Sequence, residues 1–189
     1  MKSPFHFLIK PLGGNRYKHT KDINGVDFIV SSSQEDHTAT NRYAEVVEPP
    51  IVYNGDIKKG DILVVHHNVF RKYYDMKGRE KSGPSFFMDD LYIVDNEQFF
   101  LYKDPSVEKW IAPNPYCFIE PINKEESLFN DGGAHENLLG KIKYINSELK
   151  SKGLNVGDVI SFQPESEYEF DIDGEKLYRM FTRNICMLV

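Results

Sequence analysis

Lys59-Gly60-Asp61-Ile62-Leu63-Val64-Val65 is answered about 97 residues later by Val156-Gly157-Asp158-Val159-Ile160-Ser161-Phe162. In both stretches glycine permits the positive φ of a tight turn, aspartate is placed to bond the backbone just beyond it, and the apolar run reads as a strand. Further anchors recur in the same order on either side of this pair. Leu8-Ile9-Lys10-Pro11-Leu12 matches Phe118-Ile119-Glu120-Pro121-Ile122 at an offset of about 110, and Ala44-Glu45-Val46 matches Gly140-Lys141-Ile142 at about 96. Leu91-Tyr92, followed by Phe99 to Leu101, matches Leu177-Tyr178, followed by Ile185 to Met187, at about 86. Four collinear matches predict an internal duplication whose second copy is shortened in two places.

The rest of the chain agrees with an all-β fold. Short apolar or alternating runs are separated by Gly, Pro and Asn throughout, and no long helical stripe interrupts them. The expected strands are Phe5–Lys10, Asp27–Val30, Tyr43–Val47, Asp61–His66, Leu91–Val94, Gln98–Leu101, Cys117–Glu120, Lys141–Ile145, Asp158–Phe162, Glu167–Ile172, Lys176–Phe181 and Ile185–Leu188. Pro11 and Pro121 belong at strand ends or edges, because proline donates no ladder bond. Glu148, Leu149 and Lys150 favour a helix, which Gly140, Gly153 and the β-branched Ile142 and Ile145 oppose. The expected domains are 1–104 and 116–189, joined by the breaker-rich linker 105–115. Trp110 within that linker is expected to pack the two halves together.

Composition narrows the function. The 189 residues carry a net charge of −6, which argues against sequence-independent binding of a phosphate backbone. No apolar run is long enough for a membrane span, and Met1 to Lys10 lacks a signal-peptide plan. These features predict a cytoplasmic protein without nucleic-acid or membrane partners. Cys117 and Cys186 form no framework or zinc motif and are expected to be free, buried thiols.

In its order of motifs the chain resembles the chaperonin-10, or GroES-like, co-chaperonins. The motifs are an Ile-Lys-Pro-Leu opening strand, a polar stretch with one apolar island, Tyr43-Ala44-Glu45-Val46, and the Lys-Gly-Asp strand. The resemblance covers nearly the whole chain, once per half, and implies two tandem, partly open GroES-like β-barrels. It also implies a non-enzymatic cap, a homo-oligomer in ring form, that docks on a GroEL-like chaperonin ring and assists ATP-dependent protein folding. ATP would be bound by that partner, and this chain would carry no cofactor.

The functional candidate is the stretch 17–42, where polar flanks surround Val26-Asp27-Phe28-Ile29-Val30. The resemblance makes this a mobile chaperonin-binding loop, with Asn24-Gly25 at the turn and Phe28, Ile29 and Val30 as the docking tripeptide. It departs from the family in lacking a double glycine and in placing Val26-Asp27 before the tripeptide. The residues alone also allow 27–30 to be an internal barrel strand. The stretch between Ile122 and Leu139 has no comparable island, so one loop per chain is expected, with the second barrel structural.

Other groupings point to less. His66-His67, adjacent at the end of a strand, are expected to point to opposite faces, which disfavours a shared metal. The segment Asn68 to Asp90 is basic and aromatic, and reads as a solvated hairpin packed by Tyr73, Tyr74 and Phe86 that is available for contact between ring neighbours. Asp171 to Glu175 lacks a calcium-loop pattern and reads as a hairpin turn at Asp173-Gly174. No nucleophile elbow, phosphate-binding glycine loop or catalytic Cys/His pattern is present, so no catalytic residues are expected. A structural or assembly protein, for instance a viral particle component, using duplicated GroES-like barrels for oligomerisation is the other reading of the same motifs.

Overall fold

A computed structural model describes residues 1–17, 39–122 and 138–189, together with the backbone of 20–23 and 26–29. The chain divides into two compact units, Met1–Lys109 and Trp110–Val189.

In the first unit the strands are β1 (Phe7–Pro11), β2 (Thr20–Ile23), β3 (Val26–Ile29), β4 (Tyr43–Glu48), β5 (Ile62–Val65), β6 (Lys72–Tyr74), β7 (Glu80–Ser82), β8 (Phe86–Met88), β9 (Leu91–Val94) and β10 (Phe99–Lys103). Six of them form one antiparallel sheet in the order β10-β5-β4-β1-β9-β8. Alternation decides which residues enter the core. Ala44 and Val46 of β4 are buried while their neighbours are partly exposed, as a strand period of two requires. Strand β5 buries Leu63, Val64 and Val65 in succession, the pattern of a strand covered on both faces. Phe7 meets Tyr53 and Phe99 edge-on with ring centroids 4.8 and 5.3 Å apart, and Phe70 meets Tyr92 at 4.7 Å.

The second unit contains β11 (Tyr116–Pro121), β12 (Leu139–Tyr144), α1 (Ser147–Ser151), β13 (Val159–Phe162), β14 (Tyr168–Ile172), β15 (Glu175–Phe181) and β16 (Ile185–Leu188). Its six strands are ordered β16-β13-β12-β11-β15-β14. Ile119, Ile142, Ile160 and Met180 sit in its core. The helix that the flanking glycines opposed forms nonetheless. Asn146 caps it by accepting the Leu149 amide at 2.9 Å and donates to the Tyr116 carbonyl at 2.8 Å, so tertiary anchoring overrides weak propensity.

The two sheets share one strand order and one irregularity. Ile9, Lys10 and Pro11 pair with Val46, Glu45 and Ala44 after a register break between Leu8 and Ile9. Ile119, Glu120 and Pro121 pair with Ile142, Lys141 and Gly140 after a break between Phe118 and Ile119. Both Gly-Asp turns are closed by the same bonds. Gly60, at φ 92°, donates to the Val46 carbonyl at 2.8 Å, and Gly157, at φ 98°, donates to the Ile142 carbonyl at 2.8 Å. Asp61 and Asp158 each accept, through Oδ2, the amide three residues earlier, from Lys58 and Asn155, both at 2.8 Å.

The all-β class is as expected, and among the described residues both sheets are open: β10 and β8 end the first, β16 and β14 the second. A barrel needs its edge strands to pair, and β8 has three exposed residues whose one strand neighbour is β9. Trp110 is buried, and its indole donates to Asp173 Oδ2, also of the second unit, at 2.7 Å. Cys117 is buried as expected, but Cys186 is exposed on the edge strand β16.

Candidate partner-binding site

The candidate loop is built on a closed neck. Tyr17 and Thr40 form an isolated antiparallel bridge, and the Asn41 amide donates to the Arg16 carbonyl at 2.9 Å. The buried Asn41 side chain donates to the carbonyls of Leu12 and Asn15 at 3.0 and 2.8 Å and accepts the Tyr43 amide at 3.0 Å. A buried amide satisfied on both its donor and acceptor sides fixes its surroundings, because any displacement would strand a polar group.

Beyond the neck, β2 and β3 pair with each other as a separate two-stranded sheet. Their register is Thr20↔Ile29, Lys21↔Phe28, Asp22↔Asp27 and Ile23↔Val26. Phe28 and Ile29 therefore belong to β3, and β3 takes no place in the six-stranded sheet. The expected strand 27–30 is thus found one residue earlier and outside the sheet, paired with β2, which the sequence reading missed. Gly25 and Val30 lie outside the described residues, as do 123–137 of the second unit, where no loop was expected.

A second two-stranded element is bonded to the neck. Strands β6 and β7 form a two-stranded hairpin, and Arg16 ties its root to the loop base. Its guanidinium donates to the carbonyls of Phe70 and Arg71 at 2.9 and 3.2 Å and to Ser82 Oγ at 3.1 Å. The same group lies 5.4 Å from the Tyr92 ring centroid and 6.0 Å from that of Phe86, within cation–π range. Tyr17 Oη accepts the Lys72 amide at 2.6 Å. The hairpin was expected to be packed by Tyr73, Tyr74 and Phe86; Tyr73 and Tyr74 are each 46% exposed, whereas Phe86 meets Tyr92 edge-on at 5.6 Å. The Arg16 bonds at its root and Asp75 at its tip add to its order.

The hairpin tip carries its own brace. Asp75 Oδ1 accepts the amides of Lys77 and Arg79 at 2.8 and 2.9 Å. These bonds, that from Arg79 foremost, hold the Asp75 carboxyl below its usual range, with Lys81 adding to the effect.

His66 and His67 do not diverge. Their ring centroids are 4.1 Å apart, because β5 ends at Val65 and the alternation of a strand no longer applies. Among the described residues, no group of three or more His, Cys, Asp or Glu side chains is arranged to hold a metal ion. No helix among them is long and apolar enough to cross a membrane. Neither a protein-family model nor a curated protein matches this chain.

Proposed function

We propose that the protein is a tandem GroES-like co-chaperonin whose two units arose by duplication, and that the loop between Tyr17 and Thr40 docks on a chaperonin ring. The observation that carries this reading is the repeated strand order, with its shared register break and Gly-Asp turn, combined with a β2–β3 ribbon that stands outside the sheet of one unit on a braced neck. In this reading Gly25 sits at the ribbon turn, and Phe28, Ile29 and Val30 enter an apolar groove on the partner. The chain itself is a non-enzymatic, cytoplasmic cap, and the ATP that drives the cycle is bound by the chaperonin.

Energetics suit a cap that must also leave. Burying three such apolar side chains contributes roughly 5–8 kcal/mol gross, while ordering half a dozen loop residues costs about 1–2 kcal/mol each. One loop binds weakly, but several loops on one oligomer raise avidity by roughly 10² to 10⁴. The decisive experiment is co-sedimentation with a chaperonin in ATP and release on nucleotide exchange. Ile29→Asp abolishes the complex if the reading holds; absence of any complex with the unaltered chain overturns it.

Exposed edge strands favour a second reading. Phe86, Phe87 and Met88 of β8, and Met187 and Leu188 of β16, present apolar side chains at sheet edges, a pattern suited to an assembly protein that oligomerises through its sheets. Assembly that persists unchanged in Ile29→Asp, with no chaperonin complex, is the outcome this reading requires.

A further inference from the structure

We propose that copies of this chain join head to tail, the basic outer row of the β6–β7 hairpin on one copy meeting the acidic outer row of edge strand β14 on the next. The proposal deepens the oligomeric part of the reading above, and its test needs no chaperonin.

The hairpin register is Lys72↔Ser82, Tyr73↔Lys81 and Tyr74↔Glu80. A period of two puts Lys72, Tyr74, Glu80 and Ser82 on one face, and Tyr73 and Lys81 on the other, with Arg79 in line before Lys81. On the first face Ser82 Oγ accepts Arg16 Nη1 at 3.1 Å and Lys72 Nζ meets Glu80 Oε1 at 2.8 Å, while Tyr74 and Glu80 are themselves exposed. The second face is exposed at Tyr73, Arg79 and Lys81, and the tip adds exposed Lys77 and a fully exposed Met76. Strand β7 has no second strand neighbour among the described residues. Since the Asp75 and Arg16 bonds already fix the hairpin, covering it forfeits little conformational freedom.

Strand β14 is the complement. Phe170 and Ile172 are buried, whereas Glu169 and Asp171 are exposed on a strand with no second strand neighbour among the described residues. An acid stands at every second position of the sequence from Glu165 to Glu175; Glu169 and Asp171 lie on β14 itself, Asp173 in the turn accepts the Trp110 indole, and Glu175 opens β15. Lys176 and Lys143 neutralise part of this row, at 2.7 Å from Glu169 and 2.6 Å from Glu175. A like-charged row alone merely discourages indiscriminate pairing of an edge strand. Here a row of opposite sign, with the same two-residue spacing and a free edge of its own, exists on the same chain. Laid side by side, the rows form cross-strand pairs of opposite charge, and the two main chains can add to one another. The contact uses two different patches of one chain, so it is heterologous and propagates until it closes as a ring or continues as a filament.

The test is sedimentation velocity of the full chain at about 50 mM and about 500 mM NaCl, where added salt screens exposed charge pairs. Association is expected at low salt, weakened at least tenfold at high salt. Lys77→Glu/Arg79→Glu/Lys81→Glu and Glu165→Lys/Glu169→Lys are each expected to be monomeric, while an equimolar mixture of the two associates, because each restores the other's complement. Native thermal unfolding of both variants checks that they are folded, and the salt series on the unaltered chain stands without them. A monomer at every salt concentration, salt-insensitive association, or variants that associate alone would overturn the proposal. Its failure alongside ATP-dependent chaperonin binding would leave the capping function standing, and association without chaperonin binding would do the reverse.

Discussion

The Lys72 amide donates to Tyr17 Oη at 2.6 Å, joining the first residue of the candidate stretch 17–42 to the first residue of the basic hairpin. Tyr17→Phe removes the acceptor and leaves a partly buried amide without it, at a cost of about 1–2 kcal/mol. Hydrogen exchange at Lys72 is expected to accelerate, while exchange in β13 of the other unit stays unchanged. Arg16→Ala, which deletes three hydrogen bonds, is expected to loosen the whole hairpin from 72 to 82.

Gly60 and Gly157 occupy left-handed backbone at φ 92° and 98° with no neighbouring atom close enough to obstruct a small side chain. The cost of substitution is therefore conformational. Gly60→Ala and Gly157→Ala are each expected to lower stability by about 1–2 kcal/mol, read as a shift in urea midpoint at constant slope. Asp61→Ala removes the Oδ2 acceptor of a part-buried amide and is expected to cost about 1–3 kcal/mol, and Asp158→Ala, whose partner amide is exposed, about 0.5–1.5 kcal/mol. A neutral Gly60→Ala would show that this turn does not adopt the left-handed form.

The two cysteines are expected to differ sharply in reactivity. Burial pushes the Cys117 thiol up to about 12, so almost no thiolate forms near pH 8 and alkylating reagents have no access. Cys186 is exposed. Native protein should take one equivalent of label at Cys186, and denatured protein two. Native labelling of Cys117 would contradict the packing around β11.

Acid should loosen the hairpin tip late in a titration. The folded pKa of Asp75 is depressed by the Arg79 and Lys77 amides, so its contribution is present above the unfolded value and is lost as pH falls through the folded one. The amide proton shifts of Lys77 and Arg79 are expected to titrate with a midpoint below the ordinary aspartate value. Asp75→Asn should abolish that titration, and a midpoint at or above the ordinary value would contradict it.

Strands with a buried face were legible because burial imposes its own pattern: Leu91–Val94, which buries Tyr92 and Val94, was placed without error, and the Gly-Asp anchors located β5 and β13. Ile185–Leu188 was also placed without error, from its apolar composition, although three of its four residues are exposed. The exposed short strands were not legible: β6, β7 and β8 bury too little to show a period, and β2 is recognised through its pairing with β3 rather than its composition. The neck was missed for a different reason. Asn41 and Arg16 act through hydrogen bonds to carbonyls, and carbonyl positions depend on backbone geometry that residue identity does not announce. Of the candidate site, the sequence supplied the apolar island, its flanks and a hairpin within 68–90; that the hairpin shares its root with the loop emerged from the fold.

The Tyr17–Thr40 bridge also separates two kinds of selection. Once the chain is pinned there, lengthening the segment between them adds only slowly to closure entropy, about 0.6 kcal/mol per doubling. Sheet folding then places little demand on what lies between the pins. That segment is free to diverge with whatever surface it meets, and it offers a natural port for grafting a foreign recognition sequence onto an unchanged frame.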